Sequence, residues 1–450
     1  MSVFGTDGIR DRIDGPALEP RRVYQLGRAV GRWLNRTPAN ASRHVVIGRD
    51  TRASAARIFL PLSKGLHAEG IRIFDGGLCP TPAVARSVLG LDLDLGIVLT
   101  ASHNPATDNG IKLFGSMGCK LREAQEREIE AEMEALAGEE PLPDNTTSPP
   151  VMHYDARRHY RESCRKILPE KALLGFRIVL DCANGATART SGEILERLGA
   201  QVLSYGDQPN GENINAGVGS EHPELICRET VHNKADLGIA HDGDGDRLIL
   251  CDRNGKLVNG DAVLAILARG WADQGRLSNN KAVATIMSNL GLDHCLREKG
   301  VDLIRTGVGD RNVYYTMRES AAVLGGESSG HFIALPFLPT GDGLLAALLV
   351  LEECIRTGKP LDELASVFRP FPQEKQNLPV REKPELAGVP GLPEALRQLE
   401  SDLGESGRVL LRYSGTEPKI RLLAEAEDPD LARETLQRLH QLVAEHLPLA

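Results

Sequence analysis

His44-Val45-Val46-Ile47-Gly48 is a short apolar run, bounded downstream by the polar segment Arg49-Asp50-Thr51-Arg52. Helical periodicity follows and closes on Leu66-His67-Ala68-Glu69-Gly70, and Ile71-Arg72-Ile73-Phe74 is a second apolar run. Strand, helix and strand in that order make a βαβ unit, whose two strands lie parallel because the helix carries the chain back across the sheet. The order recurs. Arg177-Ile178-Val179-Leu180 leads through a helix ending Leu195-Glu196-Arg197-Leu198-Gly199 to Gln201-Val202-Leu203. Ala282-Val283-Ala284-Thr285-Ile286 leads through a helix ending Leu296-Arg297-Glu298-Lys299-Gly300 to Val301-Asp302-Leu303-Ile304. Gly70, Gly199 and Gly300 stand where a helix stops and the left-handed conformation is wanted.

Each copy continues alike. Leu95-Gly96-Ile97-Val98-Leu99 enters a polar loop that leaves by Ile111-Lys112-Leu113-Phe114. Leu237-Gly238-Ile239-Ala240 enters another that leaves by Leu248-Ile249-Leu250, and Ala321-Ala322-Val323-Leu324 a third that leaves by Phe332-Ile333-Ala334-Leu335. Three related modules with three differently specialised loops indicate an α/β protein. The expectation is three related α/β domains with mixed sheets, plus a smaller α+β C-terminal domain, around one central cleft. Composition puts the domains at 1–150, 151–253, 254–368 and 369–450. The marks are a Pro- and Glu-rich linker from Gly138 to Pro150, the turn Asp252-Arg253-Asn254-Gly255, an apolar helix from Asp342 to Ile355, and a Pro-rich stretch from Arg369 to Pro393. The last domain reads as a strand pair around Arg412 to Pro418 and a helix over about 430–446.

Bulk composition narrows the partners. Aromatics are 4% of the 450 residues, too few for base-stacking platforms, and the net charge of −9 comes with no dense Lys/Arg run, so nucleic acid is not expected. The eight cysteines form no C-x-x-C pair, which argues against a zinc site and for buried thiols in a reducing compartment. Met1-Ser2-Val3-Phe4-Gly5-Thr6-Asp7 lacks the apolar core of a signal peptide. The apolar run Leu344 to Leu351 is too short to span a bilayer. A cytoplasmic protein is expected, with a homodimer left open.

The loops carry the chemistry. Thr100-Ala101-Ser102-His103-Asn104-Pro105 puts a hydroxyl on a tight polar turn. A hydrolase triad is disfavoured there, because an adjacent His is not expected to aim its ring at the Ser102 hydroxyl. A phosphorylated Ser102 fits better, carrying about −1.5 to −2 charges that need a cation nearby. Asp242-Gly243-Asp244-Gly245-Asp246-Arg247 supplies the place for one: the glycines let three carboxylates converge, and such crowding calls for a divalent cation, Mg²⁺ by default in phosphoryl transfer. The loop is no EF-hand, since Arg247 and Arg253 stand where that motif needs Gly and Glu. Gly326-Glu327-Ser328-Ser329-Gly330 matches the hydrolase elbow in letters, but a strand rather than a helix is expected after it. Glu327 and Ser329 suit sugar hydroxyls instead. Arg412, Ser414, Gly415, Thr416 and Arg421 offer guanidinium, hydroxyl and amide donors for a phosphate. No Walker loop or G-x-G-x-x-G supports a nucleotide.

Together with Phe4-Gly5-Thr6-Asp7-Gly8-Ile9-Arg10, Ile47 to Arg52 and Val308-Gly309-Asp310-Arg311, these loops resemble the α-D-phosphohexomutase superfamily nearly end to end. The likeness is strongest to its bacterial branch acting on glucosamine phosphate. The resemblance implies that Ser102 is the phosphoserine and that Asp242, Asp244 and Asp246, with the Ser102 phosphate, hold one Mg²⁺. It implies that Arg247 contacts the phosphoserine, that Arg10 and Arg49 surround it, and that Lys112 and His103 are acid/base candidates. Glu327 and Ser329 would meet sugar hydroxyls. Arg412, Ser414, Gly415, Thr416 and Arg421 would hold the phosphate that is not reacting. The implied reaction interconverts glucosamine 6-phosphate and glucosamine 1-phosphate through a sugar bisphosphate, and so feeds amino-sugar and cell-wall precursor synthesis. Asp11, Ser328 and Tyr413 depart from the commoner family pattern. A mutase for mannose or glucose phosphates and a non-catalytic sugar-phosphate sensor are the alternatives.

Overall fold

The computed structural model describes residues 3–5, 7–37, 42–138, 148–414 and 417–450. In its first sheet His44–Arg49 pairs parallel with Arg72–Leu78 and with Leu95–Leu99, which pairs antiparallel with Asp108–Gly115. The second sheet repeats the order: Arg177–Asp181 lies parallel to Gln201–Tyr205 and Leu237–Ala240, and Ile249–Asp252 returns antiparallel. So does the third, with Lys281–Thr285 parallel to Asp302–Thr306 and Leu324–Gly326, and Phe332–Ala334 antiparallel. The repeat read from apolar runs is therefore a repeat of topology. In each module the chemically loaded loop joins the last parallel strand to its antiparallel neighbour. Gly70, Gly199 and Gly300 have φ of 78°, 103° and 65°, the left-handed values their positions called for.

The modules differ at their edges. Ile9–Arg12 adds antiparallel to Asp108–Gly115, with Ile9 opposite Ile111 and Arg10 opposite Gly110, and Val151–His153 adds parallel to Arg72–Leu78. The N-terminal segment is thereby stitched beside the strand that carries Lys112. Val45, Ile47, Leu95, Ile97, Leu99 and Ile111 are buried in the core of this sheet. Each contributes roughly 1.5–3 kcal/mol by leaving water.

One boundary differs from the sequence reading. The last strand before the third loop is Leu324–Gly326, not one beginning at Ala321, which ends the helix Asp310–Ser320 in a left-handed conformation with φ 57°. As expected, Gly326-Glu327-Ser328-Ser329-Gly330 is followed by the strand Phe332–Ala334, so the hydrolase elbow is absent there.

By contacts the chain forms two compact units, residues 1–287 with 299–367, and residues 288–298 with 368–450. The second unit is a three-stranded antiparallel sheet, Gln373–Pro379, Lys419–Ala426 and Gly407–Tyr413. The strand pair expected here gains Gln373–Pro379 from the Pro-rich stretch. That strand is an edge, where a proline breaks no ladder on its open side. Leu392–Leu403 and Pro429–His446 are its helices, and Leu378, Leu392, Leu422, Leu439 and Val443 lie in its core. The helix Leu290–Arg297, crossover of the third repeat, packs with this unit: Leu290 N–H donates to Glu425 Oε2 at 2.9 Å. Among the described residues no helix is long and apolar enough to cross a membrane.

Candidate active site

Ser102 has φ 51°, a left-handed backbone that a side chain rarely adopts unless its surroundings hold it. They do. Its N–H donates to Thr100 Oγ1 at 2.9 Å. Its carbonyl accepts from Arg52 Nη2 at 3.1 Å and Asn215 Nδ2 at 2.8 Å. The Asn104 carbonyl accepts from the same two groups at 2.8 and 2.9 Å. Arg52 is itself paired with Asp50 at 2.9 Å, both side chains at 0% exposure. Arg10 Nη1 reaches Ala101 O at 3.2 Å and Asn104 Oδ1 at 3.3 Å. So fixed, the buried Ser102 hydroxyl donates to Asp242 Oδ2 at 2.5 Å.

Asp242, Asp244 and Asp246 are buried, with ligand oxygens within 4.8 Å of one another. Gly243 is what lets their loop approach the serine: a Cβ there would sit 2.5 Å from the Ser102 carbonyl oxygen. Asp244 Oδ2 accepts from Thr81 Oγ1 at 2.5 Å and Lys112 Nζ at 2.9 Å, and Asp246 Oδ2 accepts from Lys112 Nζ at 3.0 Å. Asp244 Oδ1 and Asp246 Oδ1 are buried without a hydrogen-bond partner. Burial and the neighbouring Asp246 and Asp244 drive the Asp242 carboxyl well above the usual range. Three convergent oxygen ligands, two with an unused buried atom and one strained by its neighbours' charge, fit a hard divalent cation.

The third loop is bonded to the second. Arg247 and His331 form an antiparallel bridge, and Leu248 N–H donates to Gly330 O at 2.8 Å. Glu327 is half-buried and accepts from Gly309 N–H at 3.0 Å, while burial raises its carboxyl above the ordinary value. Ser329 is exposed. His331 Nε2 lies 3.6 Å from Asp246 Oδ2 and 3.5 Å from Asp310 Oδ2. Burial lowers its pKa, but Asp310 and Asp246 outweigh that and push it up to about 9, so the imidazole is protonated at neutral pH.

The remaining expected residues divide. Lys112 Nζ sits among Asp244, Asp246 and Asp7, whose charges more than offset burial and hold its proton well above the usual lysine range. His103 corrects the sequence reading: the left-handed turn at Ser102 brings its Nδ1 to 3.3 Å from the serine Oγ. Burial, then the Arg247 charge, lower the His103 pKa to about 4, leaving a neutral ring. Arg247 donates to Glu221 Oε1 at 3.1 Å and its N–H to Asp242 Oδ1 at 3.2 Å. The side chain of Arg49 is bonded to Asp75, at 2.8 and 3.3 Å, and stacks on Phe59. The serine loop is held instead by the guanidiniums of Arg52 and Arg10.

In the C-terminal unit Arg412 and Arg421 face each other across neighbouring strands, and Arg421 Nη2 is 3.2 Å from Ser414 Oγ. Burial, then Arg421, lower the Arg412 pKa, and neither arginine has an ion pair among the described residues. Like charges set directly opposite are unfavourable unless an anion lies between them. Gly415 and Thr416 lie outside the described residues.

Sequence reasoning missed Arg52, Thr81, Asn215, Lys120, Asp310 and His331 as site residues. Arg52 and Asp310 lay inside the quoted motifs without a role, and His331 directly follows the quoted Gly326–Gly330 loop. Thr81, Asn215 and Lys120 gave no local signal.

A serine hydroxyl against a carboxylate cluster fit for a divalent cation, ringed by arginine and lysine, defines a phosphoryl-transfer enzyme. Four domain models of the phosphoglucomutase/phosphomannomutase family match in order: α/β/α domain I over residues 1–139, domain II over 158–255, domain III over 259–371, and the C-terminal domain over 376–442. The chain belongs to that family and is an isomerase of the phosphohexomutase class. It is 44% identical to a phosphoglucosamine mutase of Gluconacetobacter diazotrophicus over 98% of this chain and 97% of that one. To a phosphoglucosamine mutase of Solidesulfovibrio magneticus it is 42% identical over 99% of both. A phosphoglucomutase/phosphomannomutase family protein of Burkholderia thailandensis superposes with a TM-score of 0.82 at 24% identity, over 100% of this chain and 99% of that one. The N-acetylphosphoglucosamine mutase of Aspergillus fumigatus, solved with GlcNAc-6P and magnesium, superposes at 0.66 with 18% identity, over 98% and 95% of the chains.

Proposed function

We propose that this protein interconverts glucosamine 6-phosphate and glucosamine 1-phosphate through a phosphorylated Ser102 and a sugar bisphosphate. The observation that carries it is the Ser102 hydroxyl held 2.5 Å from Asp242 in a three-carboxylate cluster. The two relatives at 44% and 42% identity, named as phosphoglucosamine mutases, favour the amino sugar over glucose or mannose phosphates. Asp242, Asp244 and Asp246 would hold the magnesium, together with the Ser102 phosphate. When bound, the ion withdraws charge from the transferring phosphoryl group.

In the forward direction a free sugar hydroxyl attacks the phosphorus. Its bond to phosphorus forms as the bond from Ser102 Oγ breaks, giving the bisphosphate. The hydroxyl gives up one proton and Oγ gains one. His103, neutral and 3.3 Å from Oγ, and Lys112, which carries a proton among the aspartates, are the two groups for that exchange. The bisphosphate turns over, and the other phosphate returns to Ser102. Arg247 and Arg10 supply positive charge on this side, and Glu327 and Ser329 meet the ring hydroxyls. Arg412, Ser414, Gly415, Thr416 and Arg421 hold the phosphate that is not reacting. Because the same cradle accepts either end of a reoriented sugar, the metal site need not move.

The test is turnover of glucosamine 6-phosphate, glucose 6-phosphate and mannose 6-phosphate by the purified chain with magnesium. The amino sugar should show the highest kcat/KM. Better turnover of either hexose phosphate would replace this substrate by that one.

A further inference from the structure

Five charged side chains and the His331 imidazole, all buried or half-buried, link into a ring beside the aspartate loop. Lys120 is paired with Asp7, and Asp7 Oδ2 is 3.4 Å from Lys112 Nζ. Lys112 Nζ is 3.0 Å from Asp246 Oδ2, and the same oxygen is 3.6 Å from His331 Nε2. His331 is 3.5 Å from Asp310 Oδ2, and Asp310 Oδ1 returns to Lys120 Nζ at 2.7 Å. The ring joins the N-terminal segment, the strand after the serine loop, the aspartate loop, the third loop and the helix Asp310–Ser320. Lys112 belongs to it with 2% of its side chain exposed and Lys120 with 7%. Asp244 also pairs with Lys112 and Arg10 with Asp7, so the ring is tied into the serine and aspartate loops, and removing one member disturbs its neighbours in a desolvated place.

We infer that Lys120 and Asp310 are positioning residues for phosphoryl transfer, which fix the Lys112 ammonium and His331 against the aspartate loop from behind. Among the described residues, their side-chain pairs are with Asp7, with each other and with His331, not with Ser102 or the aspartate-loop carboxylates. Lys120 acts through Asp7 on Lys112, and Asp310 acts through His331 on Asp246. Two further contacts stiffen the same junction: Tyr315 OH donates to the Lys120 carbonyl at 3.1 Å, and Arg311 Nη2 pairs with Glu126 Oε1 at 2.5 Å. The inference rests on the mutase reading for its kinetic test and on geometry alone for its structural one.

The experiment compares the full chain with Lys120→Met, Asp310→Asn, the double variant and Lys120→Arg. Steady-state turnover of glucosamine 6-phosphate with magnesium is measured, together with amide hydrogen exchange without substrate. Each single change should lower kcat about tenfold or more, and Lys120→Met should leave KM within about twofold, as expected when an interaction made in the transition state is lost. The double variant should lose clearly less than the product of the two single losses, because the members of one ion network are not independent. Lys120→Arg, which keeps a positive charge between Asp7 and Asp310, should recover part of kcat. Exchange should quicken in segments 108–115 and 327–335 and stay unchanged in 419–426. Wild-type kcat in both single variants, strictly additive losses, or Lys120→Arg as impaired as Lys120→Met would each overturn the inference. Should Lys120→Met not fold, the isosteric Asp310→Asn decides: wild-type kcat and exchange there overturn it. If the wild type turns over no glucosamine phosphate, the mutase reading fails, and unchanged exchange at 108–115 would still be what refutes the ring.

Discussion

At the scale of single residues, Ser102 and Asp244 carry separate predictions. Ser102→Ala removes the only oxygen proposed to accept phosphate, so mutase kcat should fall by on the order of 10³-fold or more with the fold retained. Intact-mass measurement should show one phosphate on the wild type and none on the variant, and substantial turnover by the alanine form would sink the mechanism. Chelation should abolish turnover and magnesium restore it, while Asp244→Asn should weaken both metal affinity and kcat. Undiminished activity in metal-free buffer would count against the site. Arg52 differs, because its role is structural. It is fully buried with Asp50, whose carboxyl is pushed up by burial and pulled back by Arg52, and it also holds four carbonyls around the serine loop. Arg52→Met should destabilise the protein by about 3–5 kcal/mol, the usual penalty for stranding one partner of a buried pair. A thermal melt matching the wild type would show that the loop is held some other way.

At the scale of elements, each module ends its parallel strands in one working loop, and the loops meet because their backbones can. Gly243 lies where any Cβ would meet the Ser102 carbonyl at 2.5 Å and Ile214 Cδ1 at 2.8 Å. Gly243→Ala should therefore push the aspartate loop off the serine loop. A stability loss of about 1–3 kcal/mol is the common result of such overpacking, and kcat should drop further than stability explains. Unchanged kinetics in a well-folded variant would refute the close approach. The loop identities were legible in the sequence, because Ser102, the alternating Asp and Gly of 242–246, and Glu327 are local patterns. Their supports were not: Thr81 and Asn215 reach the site only because pairing and loop packing bring residues 81 and 244, or 102 and 215, together.

At the scale of the whole molecule, the prediction concerns which sugar the proposed mutase prefers. Glu327→Gln distinguishes two ways of reading it. If the carboxylate only holds hydroxyls common to the sugars, turnover should fall on every substrate. If its charge reads the C2 ammonium, only the amino sugar should suffer, by a factor between about ten and several thousand according to whether a buried partner is left unpaired. Variants of Arg412 and Arg421 should raise KM for all phosphorylated sugars alike, since the cradle is proposed to meet phosphate rather than the ring. A change in sugar preference instead would move the selectivity into the C-terminal unit.

The sequence by itself determined the module repeat, its left-handed helix ends at Gly70, Gly199 and Gly300, the order of the loops, and the serine and carboxylates they carry. All of these follow from periodicity and local chemistry within each module. Only the tertiary structure decided which charges face one another. It turned Arg49 onto Asp75 and gave the serine loop to Arg52 and Arg10, brought the His103 ring back to its neighbour through one left-handed residue, and closed Asp7, Lys120, Asp310 and His331 into a ring with Lys112 and Asp246. A side chain's partner in a desolvated place is set by sheet register and loop packing across hundreds of residues, and no local pattern carries that information.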